Sequence, residues 1–197
     1  MHILEIFTDY ICPWCYLADF QMNKVISETN IRTKYTFFPL HPNTPAGGLT
    51  LQELFAGRGV DVAANQDLIR QQMVDAGLPY GVRTHTYNSR AAQELGKWAE
   101  QKGCGAEFRE QMFRAYFVGG SNIADERVLA GVCEAAGLGA VNISEVLDES
   151  EHRSAVDADW LRCRQLGVRG VPCFLYEGRW LTGCQSPDAL KQLIRVE

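Results

Sequence analysis

Ile3-Leu4-Glu5-Ile6-Phe7-Thr8-Asp9-Tyr10-Ile11-Cys12-Pro13-Trp14-Cys15 is the stretch of sequence that decides the fold. Its first part, Ile3–Phe7, is a short apolar run of the kind that forms a buried strand. Pro13 suits the first position of a helix, and apolar residues recur at helical spacing from there to about Ser27. The stretch therefore predicts a strand that leads directly into a helix, with two cysteines at the junction.

The elements downstream predict one α/β layer with a long interruption. Thr33, Tyr35 and Phe37 alternate with polar residues, which is typical of a half-buried strand. Residues 39–48 are rich in proline and glycine and end that strand, and the segment from about Thr50 to Asp148 has helical spacing throughout. We therefore expect an inserted all-helical domain within the α/β layer.

The C-terminal part of the chain is predicted to form the rest of the α/β layer. A helix is expected around residues 154–166, followed by two short β-prone runs separated by Glu177-Gly178, a pair that favours a tight hairpin. Ser186 as N-cap and Pro187 as first helical residue predict a closing helix.

Charge and composition exclude several classes of partner. The 197-residue chain has 19 basic and 24 acidic side chains and a net charge of -5, which argues against nucleic-acid binding and against a polybasic membrane patch. Its N-terminal residues have no features of a secretion signal, and seven cysteines is an odd number for a framework of structural disulfides. We therefore expect a cytoplasmic protein whose cysteines are reactive or buried thiols.

Cys12 and Cys15 form the most informative pattern in the sequence. Residues three apart share one face of a helix, so their sulfurs can form and open a disulfide with little backbone movement. Cys12 lies at the helix N-terminus, where unpaired N–H groups and the helix dipole favour a thiolate. Cys12 is thus the predicted nucleophile, and Cys15 is the predicted resolving thiol.

Two other interpretations of this pair are half of a zinc site and two unrelated buried cysteines. Structural zinc needs about four ligands, and the other cysteines and the four histidines show no second paired spacing. The sequence therefore predicts no metal site and no bound cofactor other than a redox-active Cys12–Cys15 disulfide.

The stretch from Asp9 to Leu17 resembles the start of the DsbA-like thioredoxin superfamily, and specifically its FrnE-type dithiol-disulfide isomerase branch. Three further stretches resemble that branch: Asn88–Ala92, Met112–Phe117, and Gly167–Pro172 with Gly183-Cys184-Gln185 beyond it. The resemblance implies a thioredoxin-like domain over residues 1–42 and 150–197, with a helical insertion, or lid, domain over residues 43–149.

The resemblance also implies a cis-proline at Pro172 that faces the dithiol. The Val171 backbone would then pair with an extended substrate. Pro13 and Trp14 between the two cysteines are either a helix starter and a surface aromatic residue, or they tune the thiolate and offer an apolar surface to the substrate. Gln93 departs from the family, which often has histidine there. Cys163, Cys173 and Cys184 depart from it as well, because small or aromatic residues are usual at those positions.

Three functions stay open at this point. The first is thiol-disulfide exchange on protein or small-molecule disulfides, with glutathione as a candidate co-substrate. The second is a glutathione-dependent isomerase or transferase, similar to 2-hydroxychromene-2-carboxylate isomerase and the kappa-class transferases, although those relatives typically have serine at the position of Cys12 and lack the second cysteine. The third is a chaperone-like binding module. The sequence leaves the direction of the redox reaction, the electron-transfer partner and the oligomeric state open.

Overall fold

The computed structural model describes residues 2–195 of the chain. The chain forms two compact units. The first consists of the residues up to Leu40 and those from Ala158 onward, and the second consists of His41–Asp157. The sequence predicted boundaries at 42/43 and at 149/150, so the first lies two residues after the observed one and the second lies eight residues before it. Whether the two parts fold as independent domains stays a prediction.

The strands of the described chain are β1 (Ile3–Thr8), β2 (Arg32–Phe37), β3 (Leu49–Thr50), β4 (His85–Thr86), β5 (Cys173–Tyr176) and β6 (Arg179–Thr182). The helices are α1 (Pro13–Thr29), α2 (Leu51–Leu54), α3 (Val62–Asp75), α4 (Arg90–Gln101), α5 (Gly105–Phe117), α6 (Glu126–Ala135), α7 (Ile143–Asp148), α8 (Ser150–Gln165) and α9 (Pro187–Ile194).

The first unit is built on a four-stranded mixed sheet in the order β2-β1-β5-β6. β1 pairs in parallel with β2, Ile6 opposite Tyr35, and antiparallel with β5, Ile6 opposite Phe174. A parallel pair needs a crossover connection, and α1 provides it. This topology is the α/β core that the sequence predicted.

One face of the sheet packs against α1 and α9. Leu4 and Ile6 of β1 lie in one apolar cluster with Met22 of α1 and Leu190 of α9, and all four side chains are almost fully buried. Because side chains alternate along a strand, Glu5 and Phe7 face the opposite side. The two faces of β1 therefore have separate environments.

α8 packs on that opposite face. Cys163 of α8 clusters with Phe7, and its thiol donates to the Phe37 carbonyl at 3.4 Å. The Asp159 carboxylate accepts a hydrogen bond of 2.8 Å from the Phe37 N–H at the end of β2. α8 is thus fixed to the sheet by polar contacts as well as by apolar packing.

Glu5 is the centre of a buried ionic cluster on this face. Its carboxylate accepts hydrogen bonds from Arg162 Nε at 2.6 Å and Nη2 at 2.5 Å, from the Thr36 hydroxyl at 2.7 Å and from Lys34 at 3.3 Å. Burial opposes the ionisation of Glu5, but these hydrogen bonds and the charges of Arg162 and Lys34 outweigh it and lower the pKa to about 2. Glu5 is therefore a permanent carboxylate near neutral pH.

The hairpin and the closing helix confirm two local predictions. Glu177 and Gly178 both adopt positive φ, as a two-residue turn between antiparallel strands requires. The Ser186 hydroxyl accepts a hydrogen bond from the Ala189 N–H, and Pro187 begins α9.

The second unit is mostly helical, as expected. It also contains β3 and β4, a two-stranded ladder that pairs Leu49 with Thr86 and Thr50 with His85. Each strand is two residues long, too short to produce an alternating pattern that could be recognised in the sequence. Gly48 precedes β3 with φ of +83°, and a Cβ atom there would lie 2.7 Å from the Thr86 carbonyl oxygen.

Candidate active site: the dithiol at the start of α1

A tight turn connects β1 to the start of α1. The Asp9 carbonyl accepts the Cys12 N–H at 3.1 Å, and the Asp9 carboxylate accepts the N–H groups of Ile11 at 3.2 Å and Leu40 at 3.0 Å. Asp9 is completely buried. It therefore connects the turn both to the helix start and to the segment that follows β2.

Cys12 is the N-cap residue of α1, and Pro13 follows at the first helical position. The Cys12 backbone is extended (φ -90°, ψ 113°), and its carbonyl accepts the N–H groups of Cys15 at 3.0 Å and Tyr16 at 3.2 Å. The sulfur of Cys12 thus lies at the positive end of the helix dipole, as the sequence predicted.

Cys15 lies in the first turn of the helix, and its thiol is hydrogen-bonded with that of Cys12. Its exposed fraction is 2%, against 3% for Cys12, so exposure does not separate the two thiols. Burial raises the pKa of Cys15 well above its ordinary value, and the hydrogen bond and charge of Cys12 raise it further. The Asp9 N–H and the Thr8 hydroxyl act in the opposite direction by hydrogen-bonding the Cys15 sulfur.

The loop before β5 supplies the other side of the site. The Cys12 thiol donates to the Val171 carbonyl at 3.4 Å, and the Val171–Pro172 peptide bond is cis. Pro13 is buried and Trp14 is half-buried at the start of α1. The structure therefore places Cys12 against Cys15 and Val171, but the substrate-binding roles of Pro13, Trp14, Val171 and Pro172 stay predictions.

A cavity of about 620 Å³ lies beside this loop, within the first unit. Val171, Pro172 and Cys173 form part of its wall, and Trp180 and Arg169 contribute an aromatic ring and a cation. Trp180 is 41% exposed and stacks on Phe7 with 5.5 Å between the ring centroids. The wall is thus mainly apolar.

The three cysteines that depart from the family pattern differ in their environments. Cys173 donates to the Gly170 carbonyl at 3.0 Å, and Cys184 donates to Gln21 Oε1 at 3.5 Å. Burial raises the pKa of both thiols, to about 11 for Cys184, and the charge of Cys12 contributes to each shift. Burial also raises the pKa of Cys163, to about 12, without a contribution from Cys12. Cys173 and Cys184 are therefore within electrostatic reach of the dithiol.

The described residues show neither a metal-binding cluster nor a membrane-spanning helix. Among residues 2–195, no group of three or more histidine, cysteine, aspartate or glutamate side chains could hold a metal ion. In the same range, no helix is long and apolar enough to cross a membrane. All seven cysteines of the chain are free thiols in the structure.

Sequence reasoning missed the contribution of Thr8 and Asp9. Both residues were recognised as part of the motif, but neither was given a role. The signal that could have identified them is a pair of polar residues between an apolar run and a Cys-X-X-Cys motif.

The family follows from comparison with known proteins. The model of the DSBA-like thioredoxin domain matches residues 3–195. The chain belongs to this family. Membership supports general thiol-disulfide oxidoreductase or isomerase chemistry and agrees with the position of the dithiol.

The individual relatives have low sequence identity to this chain. The chain is 21% identical to the uncharacterized protein YwbO of Bacillus subtilis, over 98% of this chain and 96% of the relative. The crystal structure of a probable DsbA oxidoreductase from Streptomyces coelicolor is 24% identical with a TM-score of 0.87, over 98% of this chain and 88% of that one.

A third similar structure is the cytosolic disulfide reductase DsbM from Pseudomonas aeruginosa. It is 23% identical with a TM-score of 0.70, over 96% of this chain and 92% of that one. DsbM has also been solved with GSH. At these identities, both solved structures show that this DSBA-like protein shares their fold.

Proposed function

We propose that this protein is a thiol-disulfide oxidoreductase or isomerase in which Cys12 attacks a substrate disulfide and Cys15 resolves the mixed disulfide. The observation that carries the proposal is the contact between the two thiols at the N-terminal end of α1. Attack by Cys12 breaks the substrate S–S bond and forms a Cys12–substrate disulfide. Attack by Cys15 on the Cys12 sulfur then releases the substrate thiol and leaves a Cys12–Cys15 disulfide.

Helix position supports this order of events. Cys12 lies at the N-cap, where the helix dipole favours negative charge, whereas Cys15 is inside the first turn and has a raised pKa. A thiol with a raised pKa is a poor first nucleophile. It is nevertheless well placed for resolution, because the mixed disulfide forms directly beside it.

The surroundings of Cys12 support a substrate that is a protein segment or a small disulfide. The Val171 carbonyl, 3.4 Å from the Cys12 sulfur, is an acceptor for a backbone N–H of an extended substrate. The cavity beside Val171 and Pro172 would receive an apolar group, and Pro13 and Trp14 would border the other side of the sulfur.

Glutathione is the proposed co-substrate, and no bound cofactor is required because the dithiol carries the electrons. The complex of DsbM with GSH supports a small thiol as the reaction partner. Seven free cysteines are typical of a reducing compartment, so we propose that the protein works in the cytoplasm. The predictions of no nucleic-acid partner and no membrane partner are retained.

The test is reduction of insulin disulfides or reactivation of scrambled ribonuclease by the purified protein. We expect Cys12→Ser to abolish both activities, because the first S–S exchange needs the Cys12 sulfur. Cys133→Ser is the matched control, since Cys133 is completely buried in the second unit and burial alone raises its pKa to about 11. Wild-type rates no better than dithiothreitol in buffer would contradict the proposal.

Cysteine-to-serine variants in two other assays separate the competing functions. Suppression of aggregation that survives Cys12→Ser would favour the chaperone-like module. Glutathione conjugation or isomerisation that survives Cys15→Ser would favour the glutathione-dependent transferase or isomerase.

A further inference from the structure

The sheet of the first unit leaves part of one face uncovered. Phe7 of β1, Cys173 of β5 and Thr182 of β6 lie opposite one another, so their side chains share one face of the sheet. Trp180, two residues before Thr182, points to the same face and stacks on Phe7. α8 packs on the β1 part of this face, whereas β6 is an edge strand and its Trp180 ring stays exposed.

The cavity of about 620 Å³ lies over this uncovered part. Its wall is formed by Cys173, Thr182 and Trp180 of the sheet and by residues 166–172, which lead from α8 to β5. Its volume is within the range of ~300–1,000 Å³ that small-ligand sites have. Leu166 and Trp180 are both large, apolar and exposed. Large apolar side chains that are exposed together in one concave wall are typical of a binding site.

A single cation borders this apolar surface. Among the described residues that line the cavity, Arg169 is the only charged one. Its side chain is exposed, and within the described part of the chain it has no ion pair and no hydrogen bond. Arg162, in the last turn of α8, is by contrast bound to the Glu5 carboxylate. Arg169 therefore offers a positive charge that the fold itself does not neutralise.

The same wall reaches the reactive sulfur. Val171 lines the cavity, and its carbonyl oxygen is 3.4 Å from the Cys12 sulfur. An extended peptide advances ~3.3 Å per residue, so two residues span about 7 Å. A substrate segment that pairs with Val171 while its cysteine reacts with Cys12 would therefore place a side chain one or two residues away within reach of the cavity.

We propose that this cavity selects the substrate by binding an aromatic side chain within two residues of the reactive cysteine of a protein disulfide, while Arg169 binds an acidic residue next to that side chain. The inference rests on the proposed function and names its substrate class. The Trp180 ring is a stacking surface for the aromatic side chain, and a carboxylate forms charge-assisted hydrogen bonds with the Arg169 guanidinium.

The overall charge of the protein works against an acidic substrate. The chain has a net charge of -5, so an acidic peptide is not attracted by the protein as a whole. A preference for such a peptide therefore has to come from a local cation, and Arg169 is the cation at the cavity.

The test measures how fast short peptide disulfides oxidise the reduced protein. Each peptide has a central cysteine followed in both directions by glycine, phenylalanine and aspartate, with blocked termini, so that either chain direction presents the same side chains. One comparison peptide has alanine in place of phenylalanine, and another has asparagine in place of aspartate. In the reaction the two protein thiols become a disulfide and the peptide disulfide becomes two peptide thiols, which are quantified by chromatography after acid quenching.

The wild type should show two separate preferences. We expect the phenylalanine–aspartate peptide to react about tenfold faster than the alanine peptide, because an aromatic side chain is removed from water. It should react about threefold faster than the asparagine peptide, as for one exposed ion pair. Trp180→Ala should remove most of the first preference, and Arg169→Gln should remove the second. Rates are compared as ratios within each variant, so a general change in reactivity cancels.

Two substitutions on α8 outside the cavity are the matched controls. Arg164→Gln removes an exposed arginine and Leu161→Ala removes an exposed apolar side chain, and both variants should keep both preferences. Thermal unfolding checks that every variant folds. If Trp180→Ala does not fold, Trp180→Leu keeps an apolar contact with Phe7, removes the aromatic ring and should still lower the preference for phenylalanine.

The inference is overturned if the wild type shows no preference for phenylalanine or none for aspartate. It is also overturned if the preference for phenylalanine survives in Trp180→Ala, or that for aspartate in Arg169→Gln, because the preference then arises elsewhere. Failure of the proposed function looks different: the wild type would reduce none of the peptide disulfides, or Cys12→Ser would reduce all of them equally well.

Discussion

The two faces of β1 bury ionisable groups in opposite ways. On the α8 face, Glu5 bonds with the full positive charges of Arg162 and Lys34. On the α1 face, burial raises the pKa of Cys15 and Cys12 raises it further, while the neutral Thr8 hydroxyl and the neutral Asp9 N–H lower it. Both groups are nearly inaccessible to water, with exposed fractions of 6% for Glu5 and 2% for Cys15.

The comparison shows what kind of partner a buried reactive group can have. A guanidinium fixes its carboxylate in one ionisation state, which stabilises the fold but leaves no capacity for proton exchange. Neutral donors favour the charged form of Cys15 without making it permanent. The thiol could therefore gain and lose its proton in each cycle of the proposed reaction, as disulfide exchange requires.

The largest effect should come from breaking the fixed charge pair. Glu5→Gln leaves the Arg162 guanidinium without its carboxylate and should lower the free energy of unfolding by about 2 kcal/mol, below the ~3–5 kcal/mol for a fully buried pair because Arg162 is 40% exposed. Urea unfolding at pH 7 measures it. Turnover of the folded variant should equal that of the wild type, and a parallel loss of activity would show that the two faces are not independent.

An acid titration sharpens the same contrast. The pKa of Glu5 is lowered from 4.5 in the unfolded chain to about 2 in the folded protein, so its contribution to stability is fully present well above pH 4.5. That contribution is lost as the pH falls through this range toward 2. The stability difference between wild type and Glu5→Gln should therefore shrink from pH 5 to pH 2. A stability difference that does not change with pH would mean that the ionisation of Glu5 does not contribute to stability.

The smallest effect should come from Thr36→Val. This variant removes one neutral donor from Glu5 but leaves Arg162 and Lys34 in place, so we expect a loss of about 1–1.5 kcal/mol in the free energy of unfolding, the low end for a hydrogen bond to a charged group. The same urea measurement suffices. A loss as large as that of Glu5→Gln would contradict the view that the Arg162 guanidinium contributes more than the Thr36 hydroxyl to the ionisation of Glu5.

Local patterns predicted the parts of the structure that are held by near neighbours. The Cys12–Cys15 spacing, the Glu177-Gly178 hairpin and the Ser186 cap each depend on a few adjacent residues, and the sequence contains all of that information. The cis bond before Pro172 was expected from the resemblance to the family, and its substrate role stays untested.

The rest depends on contacts between distant parts of the chain. The Glu5–Arg162 bond joins residues 157 positions apart, and Asp9 bonds with Leu40 across 31 positions. Periodicity cannot show such pairs. Thr8 and Cys15 are close in sequence, but the effect of Thr8 on Cys15 depends on the tight turn between β1 and α1, which periodicity does not show either.

The bond between the Cys12 thiol and the Val171 carbonyl has a consequence for ligand exchange. A thiol can donate to this carbonyl, but a sulfur in a disulfide has no hydrogen to donate. Loss of this hydrogen, by ionisation of the thiol or by its oxidation, therefore releases the carbonyl, which would then be available to the backbone N–H of the proposed extended substrate. The acceptor that such a substrate would use becomes fully available only when the Cys12 sulfur no longer donates to it.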